Sequence, residues 1–168
     1  MDVHFKLSTF DIRSLPVHIM EKPSIAIASD HAGYLYKEEI QKQLRLEGYS
    51  VRDFGTNSAA SVDYPDFVHP LATAVENNEC ELGILLCGSA NGVAITANKH
   101  AGIRAAIAWR QEVAELSRQH NNANVLCLPA RFVSLESAMK MIRIFLSTPF
   151  EGGRHSLRVN KIPVPTTA

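Results

Sequence analysis

The chain has 168 residues; 17 Lys+Arg balance 17 Asp+Glu, and 46% of residues are hydrophobic. That length suits one domain with a sizeable core, and the apolar fraction excludes intrinsic disorder. Zero net charge argues against a phosphate-neutralising nucleic-acid face, and no apolar run approaches the roughly 20 residues needed to span a bilayer.

The first 22 residues do not resemble the rest. Asp2, Lys6, Asp11 and Arg13 interrupt any apolar stretch a secretory signal would need. They are read as an N-terminal extension (residues 1–22), either appended or following an upstream start, with Met20 just before the first strand; an oligomer-contact arm is the functional alternative. Residues 23–168 form the main domain.

From Ser24 the pattern becomes regular. Ile25–Ala28 reads as a strand buried on both faces, with Asp30-His31-Ala32-Gly33 as its exit turn. Residues 37–47 are predicted helical, with Tyr36, Ile40 and Leu44 spaced by four and Gly48 as the stop. A second strand spans 49–54. The next helix starts after Asp66 as cap, with Phe67, Leu71 and Val75 on one face and Pro70 near its first turn.

Leu82–Leu86 is the most apolar strand. It runs into Cys87-Gly88-Ser89-Ala90-Asn91-Gly92 and a helix to about Asn98. A fourth strand is expected at 103–108, a helix at 110–119 and a fifth strand at 125–128. Ser134 can cap a helix striped by Leu135, Ala138, Met139, Ile142, Phe145 and Leu146, ended by Pro149. The last helix is expected over 152–162. Strands alternating with helices imply an α/β fold with a five-stranded parallel sheet covered on both faces, and a site beyond the carboxyl ends of the strands.

Two strand-exit loops therefore carry the chemistry: Asp30-His31, and Cys87 to Gly92. The second combines small residues with a helix start, so its amides can face an anion. Cys87 stands at that junction, where a helix N-terminus and cationic neighbours lower a thiol's pKa. Cys80 and Cys127 read as small buried hydrophobes. Three cysteines are too few and odd in number for a disulfide framework, no Cys/His spacing suggests structural zinc, and a reducing cytoplasm is the simplest setting.

Arg118-Gln119-His120-Asn121 precedes the fifth strand, at the amino edge of the sheet. A five-residue strand is roughly 17 Å long, so a catalytic His120 would complete a site in a second subunit rather than its own; the alternative is a surface loop histidine. Arg154 and Arg158 are four apart on one helical face, which suits a phosphate dianion, and Arg131 follows strand five. His4, His18, His69 and His100 show no partners and read as surface or structural residues.

Together, Ser29-Asp30-His31-Ala32-Gly33, Asp63-Tyr64-Pro65, Cys87-Gly88-Ser89, Ala97-Asn98-Lys99, Gly102-Ile103-Arg104, Arg118-Gln119-His120-Asn121 and Glu151-Gly152-Gly153-Arg154-His155 occur in one order. In this the chain resembles the type B ribose-5-phosphate isomerase family, which includes galactose-6-phosphate and allose-6-phosphate isomerases. The resemblance covers about Ser24 to Ile162.

It implies a Rossmann-like three-layer α/β/α sandwich with an extended C-terminal helix, and an aldose–ketose isomerase with no metal or other cofactor. It further implies a homodimer or tetramer with shared active sites, without nucleic-acid or membrane partners. Cys87 would be the general base, with Ser89 beside the reacting carbons. His120 would open the sugar ring, with Asp30 orienting hydroxyls. Gly88, Ala90, Asn91 and Gly92 would cradle the enediolate oxygen through their amides, and Asn121 would contact the sugar. Arg131, Arg154 and Arg158 would hold the phosphate, with His31 assisting.

The family has glycine where this chain has Ala90, and a negative φ is expected there. Ribose 5-phosphate is the leading substrate. The same chemistry on a hexose 6-phosphate, a non-catalytic sugar-phosphate binder and a Cys87 thiol redox protein are the competing readings.

Overall fold

The computed structural model describes residues 22–164. The elements run β1 (Ile25–Ser29), α1 (Tyr34–Leu46), β2 (Val51–Asp53), α2 (Pro65–Glu76), β3 (Leu82–Cys87), α3 (Asn91–Ala97), β4 (Ala105–Ile107), α4 (Gln111–Asn121), β5 (Val125–Pro129), α5 (Leu135–Ser147) and α6 (Arg154–Val159). The five strands are parallel, in the order β2-β1-β3-β5-β4.

Side chains alternate across the central strands and divide the core in two. Ile25 and Ile27 of β1 face one layer, which holds Ile40 and Leu44 of α1 and Met139, Ile142 and Phe145 of α5. Ala26 and Ala28 face the other, with Val68, Leu71 and Val75 of α2 and Val93 and Ala97 of α3. Strands covered this way on both sides are apolar throughout, which is why β1 and β3 read as continuous runs. The result is the three-layer α/β/α sandwich.

Several boundaries differ from expectation. The second strand contracts to three residues and the fourth likewise. Helix α2 begins at Pro65, whose fixed φ suits the first helical position, so Pro70 falls in the helix interior rather than its first turn. Helix α4 continues to Asn121, so His120 lies in a last helical turn and not in a loop. Helix α6 is only six residues long, shorter than the expected 152–162. Ser134 does cap α5, accepting from the Ser137 amide at 3.1 Å.

Lys37 in α1 is fully buried and pairs with Asp53 and Glu38, fastening the start of α1 to the end of β2. Periodicity gave no sign of it. Of the N-terminal extension (residues 1–22), residues 1–21 lie outside the described residues, His4 and His18 among them.

Candidate active site

The chain order puts β1 and β3 side by side while the connections leave β1 in opposite directions: β2 lies on one flank and β3, β5 and β4 on the other. This is the topological switch point of the sheet, where the two exit loops diverge and leave a crevice. Asp30 follows the last residue of β1, and Cys87 is the last residue of β3.

The crevice is a cavity of about 470 Å³ lined by Asp30, His31, Tyr64, Cys87, Gly88, Ser89, Gly92, Arg131 and Phe132, with Ala32. Its geometry comes from close backbone approaches. A side chain on Gly33 would meet the Leu86 backbone at 2.8 Å, so only glycine lets α1 start against the end of β3. The Gly33 amide donates to the Asp30 carboxylate at 3.0 Å and fixes it facing the loop. Arg131 crosses over Gly88: its Nε would stand 3.3 Å from a Cβ there, and its amide donates to the Gly88 carbonyl at 3.2 Å. Tyr64 closes the far wall, lying 2.6 Å from where a Gly92 Cβ would be.

Cys87 is buried, and its thiol pKa is raised rather than lowered. Burial is the main cause, and the neighbouring Asp30 carboxylate, which accepts from the thiol, adds to it. The amides of Ser89 and Ala90 turn back toward the sulfur and oppose this, favouring the thiolate. The expectation of a simply activated thiolate is therefore corrected: the resting group is a thiol beside a carboxylate. Cys127, fully buried in β5, has its thiol pushed far up by burial, as a core residue should.

Ala90 overturns the expected negative φ. It sits at φ 64°, ψ −10°, left-handed, immediately before α3, and is fully buried. The strand-to-helix turn needs that conformation to bring the Ser89 and Ala90 amides onto the sulfur, so the loop imposes it whatever the residue. For alanine the conformation costs about 1–2 kcal/mol.

The other predicted residues gather elsewhere. His120 lies in the last turn of α4, at the amino edge of the sheet, five residues before β5 begins at Val125. Its ring stacks on His155, centroids 4.2 Å apart and planes 6° apart. Glu151 Oε2 stands 3.9 Å from His120 Nε2 and 3.5 Å from His155 Nε2. The Glu151 amide donates to the Gln119 carbonyl at 3.1 Å, which ties this segment to the end of α4. Arg154 Nε donates to His155 Nε2 at 3.4 Å.

His155 is held below the ordinary histidine range, first by burial, then by the His120 ring and the Arg154 guanidinium. Arg154 and Arg158 are exposed on one face of α6, and among the described residues neither makes an ion pair. Asn121 is also exposed and lines a separate recess of about 260 Å³ with Asn98 and Arg104.

The structure thus brings Asp30, His31, Cys87, Gly88, Ser89, Gly92 and Arg131 together. Ala90 and Asn91 continue the same turn behind them. It gathers His120, Arg154 and Arg158 at the opposite edge, and a five-residue strand of roughly 17 Å separates the two groups. Sequence reading gave no role to Glu151 and His155, although both stand in a quoted motif. It also found no metal-ligand spacing, whereas His120, Glu151 and His155 place one ligand atom each within 4.8 Å of the others. The adjoining Arg154 and the parallel, side-by-side imidazoles suit that group to proton transfer and anion contact rather than to a dication.

Comparison with known proteins places this geometry. Residues 25–162 match the Ribose/Galactose Isomerase family. The chain is 44% identical to ribose-5-phosphate isomerase B of Escherichia coli over 138 residues, 82% of this chain and 93% of that protein. Its structure is similar to a ribose 5-phosphate isomerase of Thermotoga maritima, with a TM-score of 0.83 and 48% identity, covering 84% of this chain and 97% of the other. It is also similar to the Mycoplasma genitalium ribose-5-phosphate isomerase B crystallised with bound ribulose-5-phosphate: TM-score 0.80, 45% identity, 83% and 93% coverage. The chain belongs to the ribose/galactose isomerase family.

Proposed function

We propose that this protein interconverts D-ribose 5-phosphate and D-ribulose 5-phosphate, without a metal, through a cis-enediolate. The observation that carries the reading is the switch-point crevice, where a thiol, a carboxylate and an amide-lined turn converge, in a chain close to an enzyme crystallised with ribulose-5-phosphate.

The chemistry follows from those parts. Cys87, as thiolate, takes the proton from C2 of the open-chain aldose and returns it to C1, while the O2 hydroxyl proton passes to O1, which leaves the carbonyl at C2. Negative charge builds on the carbonyl oxygen during transfer. Amides of the turn from Gly88 to Gly92, fixed by folding, receive that oxygen, and each such donor is typically worth about 3–4 kcal/mol in the barrier. Ser89, exposed at the lip, hydrogen-bonds the oxygens of the reacting carbons. Asp30 accepts from a sugar hydroxyl and is the local partner of the thiol proton. The raised thiol pKa makes the base strong once formed, and the Ser89 and Ala90 amides make it accessible.

One chain cannot bring His120 to Cys87. The working unit is therefore a homodimer, or a tetramer of such pairs, in which the amino edge of one subunit faces the crevice of another. His120 moves the proton that opens the furanose ring. Asn121 contacts the sugar, and Arg154 and Arg158 bind the phosphate, with Arg131 and His31 completing that end. Phosphate binding energy offsets the cost of holding a flexible linear sugar. Residues 23–168 are the isomerase domain and 1–22 an extension. The cytoplasm, where three unpaired thiols persist, is its setting.

The test is steady-state isomerisation with EDTA present, ribose 5-phosphate beside allose 6-phosphate. A larger kcat/KM for the pentose is expected. Preference for the hexose would reassign the substrate within the family, and no turnover of either would leave a sugar-phosphate binder.

A further inference from the structure

A second histidine cluster lies outside the residues assigned to catalysis. His69 and His100 each looked solitary in the sequence, yet they meet across two elements. His69 is exposed on α2, and His100 is half-buried in the turn after α3. His69 Nδ1 stands 2.9 Å from His100 Nε2. On its other side, His100 Nδ1 lies 3.2 Å from Glu76 Oε2, and Glu76 Oε1 accepts from the Gly102 amide at 2.7 Å.

The contacts assign the nitrogens of a neutral His100 ring. A carboxylate only accepts, so His100 Nδ1 carries the proton and His100 Nε2 presents its lone pair to His69. A carboxylate behind one ring nitrogen, with the lone pair of the other turned outward, is the arrangement that orients a metal-ligating histidine. The 2.9 Å separation matches two ligands at a right angle, and a tetrahedral ion would open it by about 0.4 Å. Two nitrogens each about 2.0–2.1 Å from a common ion stand about 2.9 Å apart at a right angle and about 3.3 Å apart in a tetrahedron. The two rings are inclined by 46°, so they are not the parallel pair formed by His120 and His155. Among the described residues no arginine hydrogen-bonds either ring, unlike Arg154 at His155.

We propose that His69 Nδ1 and His100 Nε2 form a binding site for a borderline divalent transition-metal ion such as Zn²⁺, with Glu76 as the positioning residue. Imidazole nitrogens suit Zn²⁺, Ni²⁺ and Cu²⁺, and water completes the coordination. On binding, the Nδ1 proton of His69 moves to its own Nε2 and the ion takes its place between the rings. The ion clamps α2 to the turn that follows α3. This site is separate from the isomerase chemistry and does not require it.

The test uses untagged full-length protein and Zn²⁺ alone. Imidazole ¹⁵N NMR should show His69 changing tautomer and coordinating through Nδ1, and His100 coordinating through Nε2 while keeping its Nδ1 proton. In calorimetry, His69→Asn should bind one Zn²⁺ fewer per chain than the wild type. Glu76→Gln should keep the site but weaken it roughly 10–100-fold, the usual effect of losing the group behind a ligand. Zn²⁺ should raise the melting temperature of the wild type more than that of His69→Asn. Unmoved His69 and His100 resonances, or equal stoichiometry in wild type and His69→Asn, would overturn the proposal.

Discussion

The two edges of the sheet are built in different ways. At the carboxyl edge, Cys87, Asp30 and the turn to Gly92 are set by backbone: glycines in contact, a left-handed alanine and an amide holding Asp30. At the amino edge, His120, Glu151, Arg154 and Arg158 are side chains on helix ends and a loop, half or fully exposed around one buried histidine. The first is a formed crevice. The second is a set of groups on the surface, beside the recess that Asn121 lines. A site divided this way can be rigid where charge develops and adaptable where the phosphate and ring must be gripped.

The largest expected effect breaks the first region alone. Cys87→Ala should lower kcat by about 10²–10⁴-fold or more, the range for a lost general base, while equilibrium binding of ribulose 5-phosphate is kept. Loss of binding in parallel with turnover would place Cys87 in the phosphate grip instead.

Next comes the second region. Arg158→Ala should raise KM for ribose 5-phosphate roughly 10–100-fold, as one charge-assisted hydrogen bond of about 1.5–3 kcal/mol disappears, with a smaller change in kcat. A fall in kcat at constant KM would contradict a binding role.

The pH profile sharpens the contrast. Burial and Asp30 raise the Cys87 pKa, so the thiolate fraction, and with it kcat/KM, should climb with pH to a midpoint above the ordinary thiol range. Asp30→Asn removes the carboxylate that opposes ionisation and should move that midpoint to lower pH, whatever happens to the plateau. An unmoved midpoint would mean that another group controls the limb.

The smallest effect concerns Ala90. Ala90→Gly relieves about 1–2 kcal/mol of left-handed strain and loses part of it to unfolded-chain entropy, for a net gain of about 1 kcal/mol. Thermal melting should rise by a few degrees with kcat unchanged. A lower melting temperature would mean that the buried methyl contributes more than the strain costs.

The two regions also differed in legibility. Apolar runs, small loop residues and the exit of β3 marked Cys87 and its turn directly, because strand burial and turn chemistry are local. The left-handed φ at Ala90 was misread: the turn dictates it, alanine itself gives no sign, and the family's glycine at that position was the signal for it. The direction of the Cys87 pKa was not legible, because it depends on Asp30 arriving from a strand 57 residues earlier in the chain. At the amino edge the strand-length argument separated His120 from Cys87. The stacking of His155 on His120 was hidden, because it needs the 151–155 segment folded back onto the end of α4. His69 and His100 were missed for the same reason: their contact joins two elements 31 residues apart.

The central claim, that each working site takes its two halves from different chains, is tested most directly by mixing. Cys87→Ala and His120→Ala proteins, each inactive with ribose 5-phosphate, would be combined under conditions where mass-tagged subunits are seen to exchange. Half of randomly exchanged dimers are mixed and each holds one intact site, so recovery to about one quarter of wild-type specific activity is predicted. No recovery, with exchange confirmed, would contradict a shared site and would require His120 to act within its own chain or not at all.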